Sequence, residues 1–118
     1  MFYEFKQKLE NPYFPEIFDV NPTEVSENAD KLVLIDVRED HEYAGELGHI
    51  RSSKLVPMGS IPEQLESLPR DRTIMFICRS GRRSAKVSAY AKQQGFDQVY
   101  NMLGGMIKWN ELSLPVEK

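Results

Sequence analysis

Residues 73–86 read TIMFICRSGRRSAK: an apolar run ends in a cysteine and passes through a short polar loop into a segment of helical composition. The run from Thr73 to Cys78 has the continuous apolar character of a strand that is buried on both faces. The segment from Arg83 to Gln94 is typical of a helix with one apolar face, and Gly95 is its natural end. A strand, a loop and a helix in this order predict an α/β fold with a parallel sheet.

The same alternation of strands and helices continues on both sides of this unit. Leu32 to Val37, LVLIDV, is a second run rich in β-branched residues and is predicted as another buried strand. Further short strands are predicted at 54–57 and 98–102, and helices at 21–28, 61–68 and 105–112. Elements of these lengths in this order favour a parallel sheet that is covered by helices on both faces.

Residues 1–18 are predicted to form an aromatic-rich arm ahead of a domain over 19–118. A short helix is expected in it from Glu4 to Glu10, ending before Asn11-Pro12. Aromatic side chains are usually buried, so we expect the arm to pack on the body of the domain, with a contact to a second subunit as the alternative. The protein is accordingly expected to be a monomer or a weak homodimer. The aromatic residues of the arm are Phe2, Tyr3, Phe5, Tyr13, Phe14 and Phe18.

Length and composition limit the classes of function. The 118 residues suffice for one core, and 15 basic against 18 acidic side chains give a net charge of -3, which gives no support to a nucleic-acid or membrane partner. No apolar stretch approaches the roughly 18 residues of a membrane helix, and the first residues lack the pattern of a secretion signal, so a cytoplasmic location is expected. A single cysteine excludes an internal disulfide, and with His41 and His49 as the only histidines we expect no metal and no cofactor.

The lone thiol of Cys78 is the candidate reactive group. It follows a buried strand, and ligands of open α/β sheets bind where strands end and loops lead into helices. Gly81 permits a tight loop whose N–H groups converge, and the next helix adds its own N–H groups and positive dipole end. We therefore expect an anion cradle that favours the ionised, reactive thiol, open to solvent, with Arg79, Arg82 and Arg83 available to attract an anion. The alternative is an inert core cysteine, which requires no such neighbours.

Several separated segments of the chain resemble the rhodanese family of sulfurtransferases over about residues 19–115. They are Leu34-Ile35-Asp36-Val37-Arg38, His41-Glu42-Tyr43, Gly48-His49-Ile50, Val56-Pro57, Cys78-Arg79-Ser80-Gly81-Arg82-Arg83-Ser84, and Leu103-Gly104-Gly105 with Trp109. Each segment by itself is weak evidence, whereas their order and spacing together make a specific signal.

The resemblance implies a rhodanese-like fold with a five-stranded parallel sheet and helices on both faces. It also implies a catalytic Cys78 that takes the outer sulfur of thiosulfate or another small anionic donor and becomes a persulfide. A second nucleophile, cyanide or a thiol, then removes that sulfur. Without a second cysteine the acceptor is expected to be an external small thiol or a partner protein. The residues implied for substrate binding are Arg79, Ser80, Gly81, Arg82, Arg83 and Ser84.

Other matching residues are expected to support the structure. A pairing of Arg38 with Glu42 would hold the turn after the strand that ends at Asp36, and His49 is expected to bond to the backbone rather than act as a general base. The chain departs from the family pattern at Arg51-Ser52-Ser53, where we expect Arg51 to face water, with a contribution to the pocket as the alternative.

Two other classes of function use similar features. Cysteine-dependent phosphatases and arsenate reductases place an arginine six positions after the cysteine, whereas here Arg83 lies five positions after Cys78 and Ser84 six. Their oxygen leaving groups also require a general acid, and no aspartate is obviously placed for that role. A non-catalytic interaction module is the other alternative, although such copies of the fold typically lack the cysteine that this chain retains.

Overall fold

Within residues 2–118, the part of the chain that the computed structural model describes, six strands form one sheet in the order β1-β2-β6-β5-β3-β4. The strands are β1 (Leu9–Glu10), β2 (Phe18–Val20), β3 (Val33–Asp36), β4 (Lys54–Leu55), β5 (Ile74–Ile77) and β6 (Val99–Met102). The α-helices are α1 (Pro22–Glu27), α2 (Asp40–Tyr43), α3 (Ile61–Gln64), α4 (Arg82–Gln93) and α5 (Gly105–Glu111). Short 3-10 helices span Ala29–Lys31, Met58–Ser60 and Leu65–Ser67.

The predicted α/β fold is confirmed, with one strand more than expected. Strands β2 to β6 pair in parallel, and the additional strand β1 pairs antiparallel to β2. The predicted helix from Glu4 to Glu10 was wrong, because these residues run as irregular chain and end in β1. The chain can turn back there because Asn11 Oδ1 accepts hydrogen bonds from the N–H groups of Tyr13 and Phe14.

The pleat of β5 divides the core into two layers. Ile74 and Phe76 point to the face that α4 covers, whereas Met75 and Ile77 point to the face with Trp109 of α5. The N-terminal arm contributes Phe5 to this second layer. Cys78 continues the alternation on the same side as Phe76, and this places its side chain against the inner face of α4.

Residues 2–118 contain no candidate for a membrane span and no candidate metal cluster. Every helix in that range falls short of the length and apolar character that a membrane span requires. His, Cys, Asp and Glu side chains of the same residues form no group of three that could hold a metal ion.

Candidate active site

The thiol of Cys78 lies at the carboxyl end of β5, inside the loop that leads into α4. Gly81 precedes the helix with a φ of 94°, a left-handed conformation that costs little only for glycine. This turn brings the Gly81 N–H to 3.1 Å from Cys78 Sγ and the Ser84 N–H to 3.4 Å. The hydroxyl of Ser84 lies 3.2 Å from the same sulfur. The loop therefore surrounds Sγ with groups that can donate to an anion.

The expectation that this sulfur is open to solvent was wrong. Cys78 is only 1% exposed and packs with Phe76 and Val87 in the layer beneath α4. The cause is the register of β5, which directs every second side chain inward under the helix.

The three arginines of the loop are placed differently from one another. Arg79 is exposed, and Arg82 is exposed with its guanidinium carbon 5.4 Å from the ring centroid of Tyr13. Arg83 is half-buried, and its Nη1 and Nη2 each donate at 2.8 Å to one carboxylate oxygen of Glu42. Ser80 is exposed at the tip of the loop. One predicted anion-binding arginine is thus bound to a carboxylate before any substrate arrives.

The ion pair between Glu42 and Arg83 shifts the pKa values of both residues. The bonds from Arg83 lower the pKa of Glu42 from 4.5 to about 2, although partial burial acts in the opposite direction. The same hydrogen bond is the main reason that the pKa of Arg83 is raised, and the negative charge of Glu42 adds to it. Glu42 also accepts from the N–H of Glu39, which joins the ion pair to the first turn of α2.

The predicted pairing of Arg38 with Glu42 is made at the backbone oxygen of Glu42 and not at its carboxylate. Arg38 is buried and bonds Asp36, with Nε 2.9 Å from Oδ1 and Nη2 2.9 Å from Oδ2. It reaches Glu42 only at the backbone oxygen, and it donates a further bond of 2.7 Å to the carbonyl of Gly48. Arg38 therefore connects the end of β3, helix α2 and the loop at Gly48, and the Glu42 carboxylate is bound by Arg83.

His49 and Arg51 both lie away from the thiol. His49 Nδ1 is 2.9 Å from the carbonyl of Tyr43, and the two rings stack with centroids 3.8 Å apart. Arg51 is exposed and borders a cavity of about 280 Å³ that Trp109 and Glu117 also line. The contribution of Arg51 to the cysteine site, considered above as an alternative, has no support in this placement.

The first turn of α5 supports the cysteine loop from behind. The N–H of Met106 donates to the carbonyl of Cys78 at 2.9 Å, and the N–H of Ile107 donates to that of Arg79 at 3.0 Å. Gly105 makes this approach possible, because a Cβ atom at that position would lie 2.5 Å from the carbonyl oxygens of Cys78 and Arg79. Gly105, the first residue of α5, thus permits the close contact of two backbones.

A chain of buried polar side chains leads away from Ser84 and was missed by the sequence analysis. The Ser84 hydroxyl contacts Asn101 Oδ1, and Asn101 Nδ2 donates to Asp19 Oδ1 at 2.9 Å. Asn101 and Asp19 are 2% and 4% exposed although both lie within strands. A polar residue inside each of two short apolar strands was the signal in the sequence that could have identified them.

The chain has close relatives among known proteins. It is 46% identical to "Putative sulfurtransferase YtwF" of Bacillus subtilis (strain 168) over 86 residues, which are 73% of this chain and 81% of that protein. It is 37% identical to a sulfurtransferase of Allochromatium vinosum over 89 residues, which are 75% of this chain and 81% of that protein.

The fold is also similar to solved structures. The crystal structure of a rhodanese-related protein from Thermoplasma volcanium matches 84% of this chain and 96% of its own, with a TM-score of 0.78 and 30% identity. Residues 21–112 match the sequence profile of the Rhodanese-like domain. This match covers most of the chain and includes the whole loop from Cys78 to Ser84. The chain belongs to the family of rhodanese-like domains.

Proposed function

We propose that the protein is a sulfurtransferase that moves a sulfane sulfur from a small anionic donor, thiosulfate or a persulfide, to a thiol or cyanide. Cys78 carries the sulfur between the two as a persulfide. The observation that carries this proposal is the convergence of the Gly81 N–H, the Ser84 N–H and the Ser84 hydroxyl on Cys78 Sγ. Relatives that are named sulfurtransferases support the same reaction type.

In the first step the thiolate of Cys78 attacks the outer sulfur of thiosulfate. The new bond joins the two sulfur atoms, the bond between the outer sulfur and the sulfonate sulfur breaks, and sulfite leaves with that electron pair. The product is the Cys78 persulfide anion. The converging N–H groups of the loop stabilise the charge on Sγ before the attack, and their geometry needs no rearrangement for this.

In the second step the acceptor attacks the outer sulfur of the persulfide. Cyanide forms thiocyanate, and a thiolate acceptor forms a new persulfide; in both cases the sulfur–sulfur bond of Cys78 breaks and its thiolate is regenerated. Because Cys78 is the only cysteine, the acceptor is external. We propose a small thiol or a partner protein for this role.

The loop also bears on the alternative of a phosphatase or an arsenate reductase. Arg83 lies five positions after Cys78, and its guanidinium is bound to Glu42. This shorter loop favours attack on a single sulfur atom over the binding of a tetrahedral oxyanion. The alternative of a non-catalytic interaction module is favoured by one observation, the burial of the thiol to 1% exposure.

Mass spectrometry distinguishes these functions. After treatment with thiosulfate, we expect the mass of one added sulfur atom, which cyanide removes with release of thiocyanate. Cys78→Ser is the control and is expected to stay unmodified. An unchanged mass of the native protein with thiosulfate, 3-mercaptopyruvate and glutathione persulfide alike would favour the interaction module, and turnover of p-nitrophenyl phosphate would favour the phosphatase.

A further inference from the structure

The hydroxyl of Ser84 lies between two atoms that can each accept a hydrogen bond from it. One is Cys78 Sγ at 3.2 Å, and the other is Asn101 Oδ1. A hydroxyl has one hydrogen and can donate to only one of the two at a time. All three side chains are buried, so water does not take the place of the missing partner. The direction of this one O–H bond therefore decides how much the sulfur is stabilised as an anion.

The orientation of the Asn101 amide is determined by its other contacts. Nδ2 donates to Asp19 Oδ1 at 2.9 Å and to the carbonyl of Gly81 at 3.0 Å. Both of these atoms can only accept, so a rotated amide would place its own oxygen against a carboxylate and a carbonyl. Oδ1 must therefore face Ser84, where it acts as an acceptor for the hydroxyl.

Asp19 is in turn held from the opposite side. Its Oδ1 also accepts from Asn11 Nδ2 at 2.9 Å, and Asn11 is the residue whose oxygen caps the turn of the N-terminal arm. Among the ion pairs of residues 2–118 none involves Asp19, although the residue is only 4% exposed. Burying a carboxylate without a cationic partner lowers the stability of the fold. In this structure the Asp19 carboxylate orients the side-chain amides of Asn11 and Asn101.

We propose that Asp19 and Asn101 are positioning residues that set the direction of the Ser84 hydroxyl. When Cys78 is a thiol, the hydroxyl donates to Asn101 and accepts the S–H of Cys78. When Cys78 is a thiolate, the hydroxyl turns and donates to Sγ. In the persulfide the charge lies on the outer sulfur and the hydroxyl returns to Asn101; this last step alone rests on the sulfur transfer proposed above.

Infrared spectroscopy tests the thiol state in the native protein. The chain has one cysteine, so its S–H stretching band belongs to Cys78 alone. We expect the band at the lower wavenumber of a thiol that donates a hydrogen bond, and a shift to higher wavenumber in Ser84→Ala. Asp19→Asn, which removes the charge that forbids the rotated amide, is expected to shift it in the same direction. A band that both substitutions leave in place would overturn the proposal.

A double-mutant cycle tests the thiolate state. The rate of alkylation by iodoacetamide is measured as a function of pH, and the pH of half-maximal rate is compared among the native protein, Asn101→Ala, Ser84→Ala and the double variant. Without the competing acceptor the hydroxyl always donates to the sulfur, so the pH of half-maximal rate is expected to be lower in Asn101→Ala than in the native protein by about 0.4 to 1 pH unit, the worth of one hydrogen bond. In the Ser84→Ala background the same substitution is expected to have no effect on this pH.

The cycle separates positioning from simple access to the thiol. If the cavity left by Asn101→Ala merely admitted the reagent, the maximal rate would rise while the pH of half-maximal rate stayed unchanged, and that result would overturn the proposal. Thermal unfolding of each variant verifies that the fold is retained, and the infrared band of the native protein decides the question if Asn101→Ala does not fold. Neither measurement uses a sulfur donor. The positioning of the Ser84 hydroxyl can therefore be refuted while sulfur transfer is confirmed, and sulfur transfer can be refuted while the positioning is confirmed.

Discussion

Arg83 and Glu42 meet side by side, with both distances between their terminal nitrogen and oxygen atoms at 2.8 Å. The pair connects the first turn of α4 to α2 across 41 residues of sequence. Because Glu42 neutralises Arg83, the charge that this arginine presents to an approaching anion is reduced in the resting protein. For the sulfur transfer proposed above, the two residues are therefore expected to have opposite effects on the binding of an anionic donor.

Substitutions at this pair should move the KM for thiosulfate in opposite directions. Glu42→Gln removes the competing carboxylate and is expected to lower KM about threefold, whereas Arg83→Ala leaves that carboxylate unpaired and should raise it about tenfold, as expected for a partly exposed charge. Steady-state kinetics with thiosulfate and cyanide measure both. Arg82→Ala is the matched control, because Arg82 is exposed against Tyr13, and we expect a smaller change. A common direction for Glu42→Gln and Arg83→Ala would contradict this account.

The Glu42 carboxylate should make stability depend on pH in the acid range. Its pKa is about 2 in the folded protein against 4.5 ordinarily, so the folded state favours the ionised form. The resulting stabilisation is complete above about pH 4.5 and is lost as the pH falls toward 2. Since the pair is partly exposed, we expect a contribution on the order of 1 kcal/mol. Urea unfolding of the native protein and of Glu42→Gln should differ near pH 6 and converge near pH 2; a constant difference would refute the assignment.

The contact between α5 and the cysteine loop depends on Gly105. A Cβ atom there would lie 2.5 Å from backbone atoms of Cys78 and Arg79, and the φ of 59° is itself unfavourable for alanine. We expect Gly105→Ala to lower the free energy of unfolding by about 2–4 kcal/mol, as is typical of overpacking and backbone strain combined. Gly59→Ala is the control, since no atom lies within 4 Å of the added Cβ, and should change stability little. Equal effects in thermal denaturation would argue against the close approach.

Breaking the buried ion pair of Asp36 and Arg38 should reduce the free energy of unfolding far more than breaking an exposed ion pair. Arg38→Met leaves the Asp36 carboxylate, which is 0% exposed, without a cation, and we expect a loss of about 3–5 kcal/mol in unfolding free energy. Glu66→Gln breaks the exposed pair with Arg70 and is expected to cost less than about 1 kcal/mol. Chemical denaturation measures both, and comparable losses would contradict the role of burial.

The N-terminal arm should contribute to stability through Phe5. This ring is 6% exposed and lies edge-on to Tyr3 and Tyr100, with centroids 4.9 and 4.8 Å away. Phe5→Ala is expected to destabilise the protein by about 3–5 kcal/mol, as for other buried aromatic residues. Phe2 is 42% exposed, so Phe2→Ala should have a small effect and serves as the control. Similar melting temperatures for the two variants would indicate that the arm is not anchored by Phe5.

The sequence predicted the parts of the fold that depend on local patterns. The apolar runs of β3 and β5 and the apolar face of α4 are visible within short windows, because burial on one or both faces imposes a period on neighbouring residues. The helix predicted in the arm failed because Leu9 and Glu10 pair with residues of β2, and no local propensity describes that partner. Cys78 was identified because strand, loop and helix are contiguous.

The sequence by itself therefore determined the α/β class, the family, and the loop in which one thiol meets the N–H groups of Gly81 and Ser84. Only the tertiary structure decided that Cys78 is buried, that the Glu42 carboxylate binds Arg83, and that Asp19 reaches Ser84 through Asn101. The reason is distance along the chain: the Asn101–Asp19 bond spans 82 residues and the Glu42–Arg83 pair 41. Such contacts follow from how strands and helices are brought together, and a linear pattern contains no signal for their partners.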